Sequence, residues 1–294
     1  MTFAHTPYDG SKQPFTIALE PLGARDWIEV DGHLVRDLAE KERLLATRRD
    51  RVAREEPATR EAGVEVLAML AKHLPEKFPE TYAQEGAAMR VLPAGRAVPL
   101  DGDETPLVTA ARLVQEDLCL MRRDERAWRL AAAVLCFPAG WSLADKAGAD
   151  LSAIHAPVPG FAGRMENVVA RIFDNLRPGA PLLRFNWSIY GDADLHRPPD
   201  AAAARFRQDD PARAHVRVER QTLTRLPVSG DILFTIRTHV DPVAALASHP
   251  RGRGLAAGLR AQLLALTPDQ TSYKGLASAR DELARTLDDI ANGR

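Results

Sequence analysis

One histidine of this chain, His155, ends an apolar stretch and directly precedes a stiff backbone segment. Leu151 and Ile154 lie on the apolar stretch, and the sequence Ala-Pro-Val-Pro follows at residues 156–159. A neutral imidazole held on a rigid apolar wall would suit an axial haem ligand. A lone buried histidine is more often a hydrogen-bonded core residue. Both interpretations stay open on the residues alone.

A second set of polar residues alternates with apolar ones along three segments of strand character. Alternation with period two puts one set of side chains on one face of a strand. The pattern predicts either a sheet with one solvated face or the polar wall of a pocket, with Glu219 opposed to an arginine and Asn186 or Tyr190 as neutral hydrogen-bonding groups. The polar members are Arg184, Asn186, Ser188, Tyr190, Arg217, Glu219, Gln221, Thr235, Arg237 and His239.

Other catalytic motifs are missing from the sequence. The histidines show neither HxxxH nor HxH spacing, and neither a GxSxG elbow nor a Walker A loop occurs. The run GRGLAAG at residues 252–258 imitates a dinucleotide fingerprint, but it follows Pro250 rather than a strand, and we interpret it as unrelated to nucleotide binding. The two cysteines are too few for a zinc ribbon or an iron–sulfur cluster held by four thiolates. We therefore expect no flavin, NAD or iron–sulfur cluster in this chain.

Composition places the 294-residue chain among ordinary globular proteins, with 45% hydrophobic and 27% charged residues. The net charge of -1 argues against nucleic acid and anionic membranes as partners. The N-terminus lacks the pattern of a secretory signal, and the longest apolar run, residues 130–137, is too short to span a membrane. We expect a cytoplasmic protein.

The elements that must position these residues indicate an α+β fold. Five segments have strand character, and the flanking segments have helical periodicity. The economical arrangement is an antiparallel sheet of about five strands with helices packed beside it. The predicted strands are residues 117–121, 128–137, 182–190, 215–223 and 232–240.

The order of these elements divides the chain into four parts. Residues 1–84 are predicted as a helical region that packs on the core, and its charge-dense stretch, which includes Lys41, as a solvated helix face. Residues 85–106 are rich in Gly, Pro and Asp and are predicted as a linker or excursion. Residues 107–242 would form the core and residues 243–294 the C-terminal helices. We expect one integrated domain.

Several long motifs resemble the haem-dependent oxidative N-demethylase family, in the family's order. The resemblance covers the chain from about Pro21 to the C-terminus. These motifs are LVQEDLCLM at residues 113–121, FPAGWSLADKAGADLSAIHAPVPGF at 137–161, NWSIYGD at 186–192, RVERQTLTRLPVSGDILFTIRTHVDP at 217–242 and YKGLA at 273–277.

The resemblance implies a PAS-like haem-binding core with flanking helices, and haem b as the cofactor. It implies an oxygenase subunit, of the dimethylamine monooxygenase type, that oxidises a small secondary amine with dioxygen to a demethylated amine and formaldehyde. The electrons would come from NADPH through a separate reductase subunit carrying flavin and an iron–sulfur cluster. A tetrahydrofolate-binding subunit would receive the one-carbon product. By its place in IHAPVPGF, His155 is the candidate proximal ligand and so the metal-binding residue.

The remaining site residues are assigned by their chemistry. Glu219 is the acid that would place the amine nitrogen, and Arg237 is the positive donor beside bound oxygen. Asn186 and Tyr190 are further pocket candidates.

Two cations and one unusual histidine complete the expectations. Lys146 and Arg164 flank His155 in the sequence and would bind the haem propionates. His239, in RTHVDP, stands where the family pattern leads us to expect tyrosine.

Two other functions fit the same resemblance. A PAS-type haem protein can also serve as a gas or redox sensor without turnover, because fold does not settle function. A structural member that has lost haem is the third alternative.

Overall fold

The computed structural model describes residues 3–199 and 213–294. Within these residues the chain forms ten strands in two sheets. The strands are β1 (Glu20–Pro21), β2 (Ala53–Glu55), β3 (Tyr82–Glu85), β4 (Ala88–Val91), β5 (Arg96–Pro99), β6 (Asp117–Arg123), β7 (Trp128–Val134), β8 (Leu182–Tyr190), β9 (His215–Arg225) and β10 (Ile232–Pro242).

The larger sheet is antiparallel throughout, with the strand order β1-β8-β9-β10-β6-β7-β2. Its five central strands are the five that the sequence predicts, which confirms the α+β class. The two added strands, β1 and β2, lie at the edges and contain two and three residues. Segments this short carry too little alternation to be recognised in a sequence.

A smaller sheet occupies part of the segment predicted as a linker. Strands β3, β4 and β5 pair antiparallel in that order. Gly86 and Gly95 have φ of 58° and 60° in the two connections, a backbone conformation that glycine adopts without strain. The glycines that suggested a linker therefore form tight turns in a small sheet.

Ten α-helices, several of them a single turn, surround the sheets in the part of the chain that is described. They are α1 (Leu34–Thr47), α2 (Arg49–Val52), α3 (Arg60–Lys77), α4 (Pro106–Ala111), α5 (Leu143–Lys146), α6 (Leu151–His155), α7 (Arg164–Asn175), α8 (Gly252–Ala265), α9 (Pro268–Tyr273) and α10 (Arg280–Asn292). No helix among the described residues is long and apolar enough to cross a membrane.

The strand register separates the polar residues of β8, β9 and β10 onto two faces. Asn186 pairs with Glu219, and Glu219 pairs with Thr238, so these three side chains share one face. Phe185, Arg220 and Arg237 form the neighbouring row and point to the opposite face. We call these the Glu219 face and the Arg237 face.

Different helices cover the two faces. On the Glu219 face, Leu151 of α6 and Phe173 of α7 belong to one buried apolar cluster with Leu223 and Ile236 of the sheet. On the Arg237 face, α1, α3 and α4 form the largest apolar cluster with the β6 end of the sheet. The C-terminal helices α8 and α10 pack against the β8 and β9 end of the same face.

Two glycines of the GRGLAAG run allow close packing of α8. A Cβ atom on Gly258 would lie 2.6 Å from the Tyr8 carbonyl oxygen. A Cβ on Gly252 would lie 1.7 Å from the Leu246 carbonyl oxygen. These contacts account for both glycines by packing.

The charge-dense helix α1 is not simply a solvated face. Lys41 is fully buried, and its Nζ donates to the carbonyl oxygens of Val114 and Glu116 at 2.9 and 2.6 Å. The expectation for Lys41 was wrong because a lysine in a charged run can still reach backbone acceptors across a core.

Candidate functional site

A buried carboxylate, Glu219, is the centre of the polar cluster on the Glu219 face. Its Oε2 accepts from Gln221 Nε2 at 2.9 Å and from Asn186 Nδ2 at 3.4 Å. Its Oε1 lies 3.8 Å from Arg217 Nε and accepts no hydrogen bond from a described residue. One oxygen of the carboxylate is thus held by two neutral amides, and the other keeps its acceptor capacity.

Arg217 joins this cluster to the loops at one end of the sheet. The side chain is buried, and its guanidinium donates to the carbonyl oxygens of Leu195 at 3.0 Å and Phe137 at 2.5 Å. A guanidinium held on two backbone carbonyls has little freedom to turn toward Glu219. Arg217 therefore supplies positive charge beside Glu219 without taking its free oxygen.

Two further cations lie near Glu219. Arg184, which pairs with Gln221 across the strands, has a buried Nε with no hydrogen-bond partner in residues 3–199 and 213–294. Lys274 is buried, and burial lowers the pKa of its ammonium to about 8, with the charge of Glu219 acting in the opposite direction. The same burial lowers the pKa of Arg184, again against the charge of Glu219.

The Lys274 ammonium lies at the outer edge of β8. It donates to the Trp187 carbonyl oxygen and lies 4.8 Å from the centre of the Trp187 ring and 5.1 Å from that of Phe15. Strand β1 pairs only with Leu182 and Leu183, so this part of the β8 edge has no strand neighbour among the described residues. Lys274 thus fills a position that a further strand would otherwise occupy.

His155 is positioned by the local structure around helix α6. Asp150 caps the helix by accepting from the Ala153 backbone N–H at 2.8 Å. The His155 Nδ1 lies 2.8 Å from the Leu151 carbonyl oxygen. Because a carbonyl can only accept, Nδ1 carries the proton, and Nε2 is left with its lone pair and no described hydrogen-bond partner. This is the usual arrangement of a metal-ligating histidine.

An aromatic ring and a turn hold the imidazole of His155 in place. The ring stacks on Phe161, with centroids 4.1 Å apart and an interplanar angle of 14°. The turn after the helix places Phe161 there, because Val158 N donates to the His155 carbonyl and Phe161 N to that of Val158. Burial lowers the pKa of His155, so the neutral, ligating form predominates at neutral pH.

The two cations expected to bind propionates, Lys146 and Arg164, both lie next to the segment that carries His155. Lys146 Nζ donates to the carbonyl oxygens of Ala153 and Ile154 at 3.2 and 2.7 Å. It therefore caps the end of α6 and holds the segment that carries His155. Arg164 is the first residue of α7, and its side chain lies outside what the structure describes.

Arg237 is the clearest correction to the predicted site, since it lies on the Arg237 face, away from Glu219. Its guanidinium is 2.6 Å from Asp31 Oδ2 and 3.3 Å from Asp37 Oδ2, and it donates to the Thr238 carbonyl. The sequence pattern was misleading because β10 carries polar residues on both faces, and only the register with β9 shows which ones face Glu219.

Tyr190 shares the face of Glu219 but not its neighbourhood. It lies four positions after Asn186 along β8, which corresponds to about 13 Å of strand. Its ring is buried beneath the Arg197 guanidinium, 4.4 Å from the ring centre. The structure thus brings together Asn186 and Glu219 of the four predicted catalytic residues, and leaves Tyr190 and Arg237 elsewhere.

His239 belongs to a charged group on the Arg237 face. Its Nε2 lies 3.2 Å from Glu29 Oε2, and His5 Nε2 lies 3.0 Å from the same oxygen. Burial alone would raise the pKa of Glu29, but hydrogen bonds from His239 and His5 and the charge of Arg220 hold it well below its usual range. The histidine at this position therefore does not border the Glu219 cluster.

At the sequence level, Gln221 and Arg217 were named among the polar strand residues without a role, and Lys274 was missed. Gln221 and Arg217 have the same strand parity as Glu219, which was a usable signal. Lys274 lies in the YKGLA motif, 55 positions after Glu219, and no periodicity links the two residues.

The comparison with protein families gives one match. The model of the family described as haem-dependent oxidative N-demethylase, alpha subunit-like, matches residues 18–284, which is most of the chain. The matched range includes His155 and the Glu219 cluster, and it excludes His5.

Proposed function

We infer that this chain, which belongs to the haem-dependent oxidative N-demethylase, alpha subunit-like family, is an oxygenase subunit that removes a methyl group from a small secondary amine. The fold that would carry this activity is the central part of the larger sheet with α6 and α7 on the Glu219 face, which we propose as a PAS-like haem core.

The residues of the Glu219 face fit a haem group, which we propose is haem b. His155 offers an Nε2 lone pair on a half-buried imidazole whose other nitrogen is bound to a carbonyl. Arg184 offers a cation whose buried Nε lacks a partner, as a propionate-binding residue would before its anion is added. When bound, the haem iron would supply the activation of dioxygen. His155 would hold the iron, and Lys146 would hold the helix that carries His155.

The observation that carries the proposal is the free oxygen of Glu219. A small secondary amine is protonated at neutral pH, and its ammonium needs an anionic acceptor when it is taken out of water. Glu219 Oε1 is such an acceptor, and the amides of Asn186 and Gln221 keep the carboxylate oriented through Oε2. Glu219 would therefore bind and orient the amine, and it would take up the ammonium proton when the nitrogen must become neutral.

The overall reaction requires partners. Removal of one methyl group consumes the amine, one dioxygen, two electrons and two protons, and releases the demethylated amine, formaldehyde and water. Because the chain offers no nucleotide-binding motif, we propose that the electrons come from NADPH through a separate subunit with flavin and an iron–sulfur cluster. A tetrahydrofolate-binding subunit is the proposed acceptor of formaldehyde.

The haem part of the proposal is tested by spectroscopy on the protein expressed with haem precursor. The wild type should show a Soret band, and His155→Ala should change the ferrous–CO spectrum. His196→Ala is the matched control, because His196 is also half-buried and also bonds a carbonyl through Nδ1. An unchanged spectrum in His155→Ala, or no Soret band in the wild type, would contradict the assignment.

The amine part is tested by titrating dimethylamine into the haem-loaded protein and following the Soret shift. Glu219→Gln should weaken binding more than tenfold, because a charge-assisted hydrogen bond contributes on the order of 1.5–3 kcal/mol. Glu104→Gln, which removes a carboxylate from an exposed ion pair with Arg49, should bind as the wild type does. Equal affinity in Glu219→Gln would remove Glu219 from the site.

A single turnover separates the enzyme from a sensor. The haem protein is reduced chemically, mixed with dimethylamine and dioxygen, and assayed for formaldehyde. A sensor would bind dioxygen and release no formaldehyde above a control without amine.

A further inference from the structure

Three side chains from distant parts of the sequence meet on the Arg237 face. His5 comes from the N-terminal segment, Glu29 from the segment before α1, and His239 from β10. One potential ligand atom from each lies within 4.8 Å of the others. The fold thus gathers two imidazoles and a carboxylate that no sequence spacing would group together.

The two oxygens of Glu29 are used differently. Oε2 lies 3.0 Å from His5 Nε2 and 3.2 Å from His239 Nε2, so both imidazoles converge on it. Oε1 lies 3.1 Å from Arg220 Nε and also 3.0 Å from His5 Nε2. Arg220 therefore orients the carboxylate through Oε1 while Oε2 faces the imidazoles.

The outer nitrogen of His239 also has an acceptor beside it. Its Nδ1 lies 3.7 Å from Asp31 Oδ2. A carboxylate on this side lets the ring keep a proton on Nδ1 when its Nε2 binds a metal ion, as it does behind many metal-ligating histidines. A cation bound by His239 Nε2 and Glu29 Oε2 would replace the proton that these two atoms share in their hydrogen bond.

We propose that His5, Glu29 and His239 bind one divalent transition-metal ion, with Zn²⁺ as the best fit. Ligands about 2.0–2.2 Å from a zinc ion at tetrahedral angles lie roughly 3.4 Å apart, close to the separations between the Glu29 oxygen and the two imidazole nitrogens. Two nitrogen donors with one oxygen suit zinc and its neighbours, whereas Mg²⁺ and Ca²⁺ prefer oxygen ligands throughout.

The site is accessible, and it is separate from the haem. The side chains of His5 and Glu29 are 23% and 28% exposed, so an ion can enter and water can complete its coordination. His239 lies across the sheet from the Glu219 cluster. The bound ion would tie the N-terminal segment to β10, and the proposal stands whether or not the chain is an N-demethylase.

The test is calorimetric titration of Zn²⁺ into haem-loaded protein without an affinity tag, after removal of metal with a chelator and dialysis. One Zn²⁺ per chain should bind to the wild type. His5→Ala and His239→Gln should each bind at least tenfold more weakly. His215→Gln, which changes a histidine outside the cluster, should bind as the wild type does, and Mg²⁺ should give no comparable heat.

The three variants also separate the site from loss of folding. His5→Ala removes a partly exposed side chain of the N-terminal segment, outside the sheet, and its melting temperature without metal should stay near that of the wild type. Zn²⁺ should raise the melting temperature of the wild type and of His215→Gln, but not that of His5→Ala. No saturable Zn²⁺ binding in the wild type, or equal binding in His5→Ala, would overturn the proposal.

Discussion

The two faces of the larger sheet both bury charge, and they use it in opposite ways. On the Arg237 face, Arg237 contacts two carboxylates and a carbonyl, and Lys41 bonds two carbonyls. On the Glu219 face, Arg184 forms no ion pair with a described residue. Glu219 Oε1 accepts no hydrogen bond from a described residue either. Paired charge stabilises a fold, whereas incompletely paired charge is available to a ligand. The difference predicts that mutations on the two faces will separate stability from binding.

The largest expected effect is on stability, from Arg237→Leu. Removing this guanidinium takes a buried cation from Asp37, which is fully buried and then keeps an ion pair only with the exposed Arg36 among the described residues. Breaking a buried ion pair from one side costs about 3–5 kcal/mol of unfolding free energy. The measurement is denaturant unfolding followed by circular dichroism.

The matched variant on the other face is Arg184→Leu. Because this substitution breaks no ion pair with a described residue, the unfolding free energy of the variant without haem should differ from that of the wild type by at most about 1 kcal/mol. Its haem affinity should fall instead. Equal destabilisation by the two variants would show that the faces do not differ in this way.

The next largest effect should be on amine binding, from Gln221→Leu. The substitution removes the shorter of the two amide hydrogen bonds to Glu219 Oε2 and leaves the charge of the carboxylate in place. A hydrogen bond to a charged group contributes about 1.5–3 kcal/mol, so binding of dimethylamine should weaken about tenfold or more. If the affinity for dimethylamine is unchanged while the unfolding free energy falls, Gln221 stabilises the sheet and does not contribute to amine binding.

A smaller effect should depend on pH through Lys274. Its pKa in the folded protein is about 8, below the ordinary value of 10.5, so between these pH values the unfolded chain binds more protons than the folded one. Stability should therefore rise with pH across that window, and the rise should be absent in Lys274→Met.

The same titration should alter amine binding. Above pH 8 the neutral Lys274 no longer competes with a substrate ammonium for the charge of Glu219, so the affinity should increase severalfold while the amine is still protonated. Thermal melts and Soret titrations between pH 7 and 9.5 measure both trends. A flat profile in the wild type would contradict the interpretation.

The smallest effect is expected from Tyr190→Phe. The hydroxyl lies about 13 Å along β8 from Asn186, so amine affinity should stay within about twofold of the wild type. A larger loss in the Soret titration would extend the binding site to the far end of the strand.

Long strands of this fold were predictable from the sequence, and short strands were not. The central strands were predictable because seven to eleven residues of alternation or continuous apolar sequence leave little ambiguity. The strands β1 to β5 were not, since each contains four residues or fewer and several are bounded by glycines.

For the site, the sequence predicted only which residues of a single strand share a face. Asn186 and Glu219 were chosen correctly as neighbours. Excluding Arg237 required the register between β9 and β10, which is set by the loop that joins them and by which residues the helices cover. Lys146 was recognised as a cation near His155, but its actual partners, the carbonyls at the end of α6, are backbone groups that carry no signature in a sequence.

The position of Lys274 has a consequence for how molecules of this protein meet one another. A long strand with an unpaired outer edge is a template for strands of other molecules, and natural proteins commonly protect such edges with lysine. Here the Lys274 ammonium donates to the Trp187 carbonyl oxygen, which a neighbouring strand would otherwise use. Lys274, which alters the charge around Glu219, therefore also hinders pairing of the β8 edge with a strand of another molecule.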